Sequence, residues 1–191
     1  SLTNPTFTAH ITELRIGSGG RSGESEGLLK LGSNSTLNVG AAAALADINI
    51  GWNYGANPTT SVGVLDALNP AASVNWTLDE LYIGRSDYGL GTATGTLRWN
   101  QTEAILANGI YLALGGGTSA SLDVPTGGTL QLGTAAAPVG ILDIAENHTG
   151  GAKASADLDF SLTNPTFTAH ITELRIGSVI WAVKVGLEKS V

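Results

Sequence analysis

The sequence predicts an all-β, parallel β-solenoid, in which short strands of successive coils pair side by side. Three observations support this fold: a short apolar phrase recurs along the chain, apolar and polar residues alternate within it, and clusters of Gly, Asn, Ser, Thr and Pro separate its copies. Alternation with a period of two is typical of a strand with one buried and one solvated face. Recurrence of one phrase, with insertions of variable length between its copies, is the sequence signature of a solenoid.

The recurring phrase consists of an apolar residue, a variable residue, a second apolar residue and usually Gly. The copies that end in Gly are residues 14–17, 29–32, 37–40, 48–51, 81–84, 112–115, 130–133 and 174–177. The copies that lack the Gly are residues 97–99, 122–124, 142–144 and 158–160. We expect both apolar residues to point into the core and the middle residue to face water. Gly suits the corner that follows, because it adopts a positive φ without steric cost.

A perfect duplication occurs within the chain. Residues 1–18 read SLTNPTFTAHITELRIGS, and residues 161–178 repeat the same eighteen letters. Ordinary divergence would have blurred an old duplication, which favours a recent tandem duplication or deliberate engineering. We therefore predict a solenoid repeat domain over residues 1–178 and a C-terminal strand or cap over residues 179–191.

An antiparallel β-sandwich is the alternative fold, because it also contains many short strands joined by turns. It does not predict that the same phrase recurs. Helical folds are disfavoured, since no window of about 11–18 residues keeps a 3.6-residue period with capping residues.

The composition excludes several classes of function. Nine Lys and Arg against sixteen Asp and Glu give a net charge of −7, which argues against nucleic acid as a partner because phosphates require basic patches. The absence of Cys excludes disulfides, thiolate metal sites and thiol catalysis. No apolar run reaches the roughly 18 residues of a transmembrane helix, and the first residues lack the pattern of a signal peptide.

No motif predicts a catalytic centre, a metal site or a cofactor. The three His lack zinc-site spacing, and the Gly-rich segments lack the Lys and Ser or Thr of a phosphate loop. We therefore expect a protein that is not an enzyme and needs no cofactor. The acids Asp66, Asp123, Asp143 and Asp159 are expected to face outward, where stacked like charges repel.

Individual residues suggest carbohydrate as an alternative ligand, either for a binding protein or for a polysaccharide-degrading β-helix. The ring faces that are candidates to line a sugar groove belong to Trp52, Tyr54 and Tyr88. A long corner loop is the structural interpretation of the same residues. The candidate glycosylation sites, for a secreted chain, are the sequon residues Asn34, Asn75, Asn100 and Asn147.

The segment at residues 36–40 (TLNVG) and the Gly-Thr-Leu segments at 95–97 and 128–130 resemble the repeats of large secreted β-solenoid surface proteins, of the autotransporter-passenger and adhesin type. This resemblance implies a right-handed parallel β-helix, an extracellular or cell-surface location, and a structural or adhesive role. As partners we expect surface glycans or the chain itself.

The duplication predicts self-association as well. Identical segments should occupy equivalent positions, so the C-terminal copy of one chain can mimic the N-terminal coil of another. Such end-to-end stacking is a heterologous contact that does not close and therefore yields fibres. The candidate contact residues are Val179, Trp181, Val183 and Val185. Alternatively, the second copy adds one more coil within the chain.

Overall fold

The computed structural model describes residues 6–9, 12–20, 23–150, 152–160, 163–177 and 183–185. Over these ranges the protein is all-β without a helix, and its strands lie in stacked coils of about five turns. Every pairing between described strands is parallel. The predicted β-solenoid is therefore confirmed, and the antiparallel sandwich is wrong.

The described strands form six layers along the stack, so that about five turns of the chain lead from the first layer to the last. The strands are numbered in chain order. Layers 1 and 2 contain β1 (Thr6–Ala9), β2 (Glu13–Gly19), β3 (Glu24–Lys30), β4 (Thr36–Val39), β5 (Ala46–Asn53) and β6 (Thr60–Ala67). Layers 3 and 4 contain β7 (Ser73–Ser86), β8 (Thr92–Trp99), β9 (Leu106–Leu114) and β10 (Thr118–Asp123). Layers 5 and 6 contain β11 (Thr129–Leu132), β12 (Val139–Ile144), β13 (Ser155–Leu158), β14 (Thr166–Ala169), β15 (Ile171–Ile176) and β16 (Val183–Val185).

The layers build three faces. Face 1 contains β1, β4 and the first part of β7, and resumes with β11 and β14. Face 2 is β2-β5-β7-β9-β12-β15, and face 3 is β3-β6-β8-β10-β13-β16. The long strand β7 belongs to faces 1 and 2, because it pairs with both β4 and β5.

The recurring phrase forms two core columns on face 2. One column contains Leu14, Ile48, Leu81, Ile110, Leu142 and Leu174. The other contains Ile16, Ile50, Ile83, Leu112, Ile144 and Ile176. The members in layers 2 to 5 are buried, as expected for the apolar positions of the phrase.

A residue with positive φ follows the second core column in every layer of face 2. These residues are Gly17, Gly51, Gly84, Ala113, Ala145 and Gly177. The phrase placed at residues 112–115 is therefore wrong in register, because Leu112 belongs to the second column and Ala113 occupies the corner with a φ of 58°. Alanine here replaces the glycine that the pattern requires.

Faces 2 and 3 meet backbone to backbone along a line that we call the glycine seam. A Cβ on Gly63 of face 3 would lie 2.2 Å from the backbone nitrogen of Gly51 on face 2. The equivalent contacts in layers 1 and 3 are Gly27 with Gly17 and Gly95 with Gly84. Because a Cβ cannot approach another atom so closely, these positions of the seam accept only glycine without a shift of the sheets.

One column of face 3, the charge column, alternates in sign over layers 1 to 4. Its register neighbours are Lys30, Asp66, Arg98 and Asp123. Asp66 is 5% exposed, which corrects the expectation that this residue faces solvent. Lys30 Nζ lies 3.5 Å from Asp66 Oδ2, and Arg98 Nε lies 3.9 Å from Asp123 Oδ2. The expected repulsion between stacked Asp residues is therefore wrong here, since a cation lies between Asp66 and Asp123.

Candidate functional site

The duplicated segment forms both end layers of the described stack. Its N-terminal copy supplies β1 and β2, and its C-terminal copy supplies β14 and β15. Among the described strands, β2 pairs only with β5, and β15 pairs only with β12. Each copy therefore has one strand edge without a partner among the described strands, and these two edges face opposite ends of the solenoid.

The same side chains are buried to different extents in the two copies. Ile16 is 6% exposed, whereas its duplicate Ile176 is 41% exposed. Leu14 is partly buried against the core, whereas its duplicate Leu174 is 55% exposed. Because Leu174 and Ile176 end the core columns of face 2, the C-terminal end presents apolar core side chains to solvent.

An ion pair between residues two apart occurs in both copies. On β15, Arg175 Nε and Nη2 donate to the two carboxylate oxygens of Glu173 at 2.8 and 3.2 Å. On β2, Arg15 Nη2 donates to Glu13 Oε2. Each end strand therefore carries an anion followed by a cation on its outer side.

A buried carboxyl group lies directly beneath the C-terminal copy. Asp143 is the register partner of Arg175 and is only 2% exposed, which corrects the expectation that it faces solvent. In its ionised form neither carboxylate oxygen accepts a hydrogen bond. Burial first, and then a hydrogen bond with the Glu146 carboxyl group, raise the pKa of Asp143 to about 7. These three residues, with Ile176 and Gly177, line a cleft of about 270 Å³.

Aromatic rings and guanidinium groups cover the outer side of face 2. The guanidinium carbon of Arg15 lies 4.5 Å from the ring centre of Trp52, and that of Arg85 lies 4.8 Å from it. Since Arg15 lies in the preceding layer and Arg85 in the following one, cations from both sides contact the indole. The Asp87 carboxylate accepts hydrogen bonds from Trp52 Nε1 at 3.1 Å and from Arg85 Nε at 2.9 Å.

The same arrangement continues into layers 3 and 4. The rings of Tyr82 and Tyr111 stack with centres 4.9 Å apart, and Arg85 lies 4.3 Å from the Tyr82 ring centre. Burial, followed by its hydrogen bond to Glu80, raises the pKa of the Tyr82 hydroxyl above its usual value. We define the Trp52 cluster as Arg15, Trp52, Tyr82, Arg85 and Tyr111.

Two of the three predicted sugar contacts, Trp52 and Tyr54, lie side by side at the Trp52 cluster. The rings of Trp52 and Tyr54 are 5.3 Å apart between centres. Tyr54 is 39% exposed, and Tyr88, on the loop between β7 and β8, is 56% exposed. No ring contact joins Tyr88 to another aromatic residue in the part of the chain that is described. Thus the rings of Tyr54 and Tyr88 are accessible, whereas guanidinium groups contact that of Trp52.

Several residues of these sites were missed by the sequence reasoning. Tyr82 and Tyr111 both occupy the middle position of the phrase, in consecutive layers of face 2. Asp143 occupies the same position one layer further along. An alignment of the phrases by layer, with Ile110 rather than Leu112 as the first apolar residue, would have placed these three side chains in one column.

The four sequons have different surroundings. Asn34 and Asn75 are exposed. The side-chain amide groups of Asn75, Asn100 and Asn147 donate hydrogen bonds within the protein, at 2.8, 3.3 and 2.9 Å. Use of any of these sites for glycosylation stays a prediction.

The residues predicted for self-association lie near the C-terminal end of the chain. Val183 and Val185 belong to β16, which pairs in parallel with β13. Val179 and Trp181 lie outside the described residues.

Comparison with known proteins assigns no family to this chain: no protein-family model, no curated protein and no solved structure matches it. Within the described ranges, no helix has the length and apolar character of a membrane span. In the same ranges, no three His, Asp or Glu side chains are grouped as the ligands of a metal ion.

Proposed function

We propose that this chain is a structural or adhesive module of an extracellular or cell-surface protein, of the autotransporter-passenger or adhesin type, and that it self-associates through the ends of its solenoid. The observation that carries this proposal is the location of the duplication. One 18-residue sequence supplies two strands to each end layer, and each copy has a strand edge that pairs with no other described strand. Unpaired strand edges are templates for pairing with another chain, and solenoids need capped ends to stay monomeric.

End-to-end association extends the solenoid when the C-terminal layer of one chain meets the N-terminal layer of the next. The same operation relates each chain to its neighbour, so the contact is heterologous and generates a filament. The resemblance of the repeats to secreted surface proteins supports a role in which length and repetition matter more than a single site.

The outer side of face 3 supports the adhesive part of the proposal, because it repeats the same chemistry from layer to layer. Hydroxyl groups of successive layers contact one another, with Thr92 3.2 Å from Thr60 and Ser119 3.3 Å from Ser155. The charge column lies further along the same strands. A surface of this kind offers one type of contact several times, which raises avidity for a repetitive ligand.

Light scattering after size-exclusion chromatography, over a wide range of protein concentration, tests self-association, and electron microscopy shows the shape of the assemblies. We expect the mass to rise with concentration. Leu174→Lys adds a charge to the exposed C-terminal end and should keep the chain monomeric. Leu90→Lys is the matched control, since Leu90 is a similarly exposed leucine, at 62%, on the loop between β7 and β8. A wild-type chain that stays monomeric at every concentration would overturn the proposal.

Carbohydrate binding is a second candidate function, which the accessible rings of Tyr54 and Tyr88 favour. Binding sites for small ligands combine aromatic surfaces with a few polar groups that fix orientation. Arg85 and Asp87 contact Trp52, whose ring centre lies 5.3 Å from that of Tyr54. A glycan array and a reducing-sugar assay test binding and hydrolysis separately. Binding that is lost in Tyr54→Ala/Tyr88→Ala supports the candidate, and no binding by the wild-type chain rejects it.

A further inference from the structure

We propose that two copies of this chain pair in antiparallel orientation through the unpaired edge of β15, about a two-fold axis at Leu174. The inference rests on the self-association through the solenoid ends proposed above, and it replaces the head-to-tail contact with an isologous one. Leu174 and Ile176 are 55% and 41% exposed, although they end the core columns of face 2. Covering such apolar groups removes them from water and stabilises the pair. The equivalent Ile16 is only 6% exposed, so the apolar end of the solenoid is the C-terminal one.

The charges on β15 distinguish this arrangement from head-to-tail stacking. A head-to-tail contact that continues the core columns places Leu174 opposite Leu14 of the next copy. Because the two segments are identical, Glu173 then lies opposite a Glu and Arg175 opposite an Arg. Like charges directly opposite each other on paired strands are destabilising.

The two-fold arrangement reverses this relationship. With Leu174 opposite its own duplicate on the axis, Glu173 of each copy lies opposite Arg175 of the other. Glu173 and Arg175 already form an ion pair within the strand, so the four charges alternate in sign around the axis. Opposite charges across a strand pair are favourable, and the leucines meet on the inner side.

The other antiparallel registers that keep the apolar side chains on the inner side lack this pairing of opposite charges. An axis at Arg175 places two arginines opposite each other, and an axis at Glu173 does the same with two glutamates. The Leu174 register is therefore the one that complementarity selects. Its contact is isologous and closes at two copies, which predicts a dimer as the unit of association.

Cysteine cross-linking tests this geometry directly, because the natural chain has no Cys. Opposite Cα atoms of an antiparallel pair lie about 4.5–5.5 Å apart, within the range that a disulfide spans. Mild oxidation of Leu174→Cys should therefore give a covalent dimer. Leu14→Cys, the same change in the other copy, should give none. The double variant Leu14→Cys/Leu174→Cys reports head-to-tail stacking, which would yield a ladder of covalent polymers.

Charge variants provide an independent test. Glu173→Arg places arginines opposite each other and should raise the dimer dissociation constant about tenfold or more. Exchange of the two charges in Glu173→Arg/Arg175→Glu restores alternation and should restore the dimer. Glu13→Arg is the matched control in the N-terminal copy and should leave the dissociation constant unchanged.

The outcomes separate this inference from the proposed function. A dimer that Leu174→Cys cross-links and Glu173→Arg weakens supports this inference and self-association through the solenoid ends, and it overturns head-to-tail filament growth. Polymers from the double-cysteine variant without a Leu174→Cys dimer overturn the two-fold geometry and leave end-to-end association in place. A wild-type chain that is monomeric at every concentration overturns both.

Discussion

Gly63 lies so close to Gly51 that a Cβ on Gly63 would be 2.2 Å from the Gly51 nitrogen and 2.2 Å from the Ile16 carbonyl oxygen. Faces 2 and 3 therefore contact each other through their backbones at this point of the glycine seam. Side chains fill the space between the faces elsewhere, so the seam sets how closely the two sheets approach.

Substitution of a glycine in the glycine seam is expected to strain the stacked sheets. Gly63→Ala should lower the free energy of unfolding by about 3 kcal/mol, the upper part of the range for overpacked sites, because neither backbone neighbour can move without shifting a sheet. Urea denaturation followed by tryptophan fluorescence measures the change. Gly127→Ala is the control: Gly127 has a φ of 68° and open space around its Cβ position, so only the backbone cost of roughly 1–2 kcal/mol applies. Equal losses in the two variants would contradict the close contact.

The duplication provides a matched pair of core substitutions. Ile16→Ala removes a buried side chain and should cost about 2–3 kcal/mol of unfolding free energy. Ile176→Ala makes the same change where the side chain is 41% exposed and should cost less than about 1 kcal/mol. Both are measured by denaturation of dilute protein, so that association does not contribute. A larger loss for Ile176→Ala would show that the C-terminal copy is the better packed of the two.

The stability that the Trp52 cluster contributes should depend on the planar guanidinium group of Arg85 rather than on its positive charge alone. Arg85→Lys keeps the charge but loses the planar contacts with the rings of Trp52 and Tyr82, and we expect a loss of about 1–2 kcal/mol in the free energy of unfolding. Arg98→Lys is the control, because the Arg98 pair with Asp123 is a long contact at 3.9 Å and exposed ion pairs contribute about 0–1 kcal/mol. Denaturation of both variants measures the loss in the free energy of unfolding for each. A similar, small effect in the two would indicate that the ring contacts add no stability.

Asp143 should make stability depend on pH. Its pKa is raised to about 7 in the folded protein, against about 3.9 in an unfolded chain. Between these values the folded state binds more protons than the unfolded state, so stability falls as the pH rises from about 4 to 7. The contribution of the protonated group is fully present below pH 4 and is lost as the pH passes through 7.

The unfolding free energies of the wild type and Asp143→Asn, measured from pH 4 to 8, test this dependence. The free energy of unfolding of Asp143→Asn should increase relative to that of the wild type as the pH rises. In Glu146→Gln the loss of stability that accompanies ionisation of Asp143 should occur at lower pH, because this variant lacks a carboxyl group that raises the pKa of Asp143. A difference that is constant over the whole range would contradict the assignment.

The fold could be predicted from the sequence because one phrase carries both the strand pattern and the corner. Face 2 follows that phrase in every layer. The register in layer 4 could not be predicted, since Ala113 adopts the positive φ that the pattern reserves for Gly, and a second apolar pair with a true Gly follows it. The number of residues between register partners also varies, from 25 between Arg98 and Asp123 to 37 between Asn38 and Asn75.

The candidate sites were less predictable, because they depend on contacts between layers. Tyr82 and Tyr111 are 29 residues apart and stack only when the register of β7 and β9 is known. The middle position of the phrase predicts a solvated side chain, but this is wrong on face 2 for Asn49, Tyr82 and Asp143, which are 1%, 7% and 2% exposed. Side chains of the neighbouring layers cover these residues, which one phrase by itself does not reveal. Trp52 and Tyr54 were found because two aromatic residues are close together in the sequence itself.

The charge column also distinguishes correct from incorrect pairing while the chain folds. In layers 1 to 4 each residue of the column has the opposite sign from the one before it, so a strand that paired with the layer after next would place Lys30 against Arg98, or Asp66 against Asp123. The core columns give no such discrimination, because leucine and isoleucine pack almost equally well against any other layer. The alternation therefore disfavours any pairing that omits one layer, because that pairing brings like charges together. A repetitive sequence is most prone to this kind of pairing error.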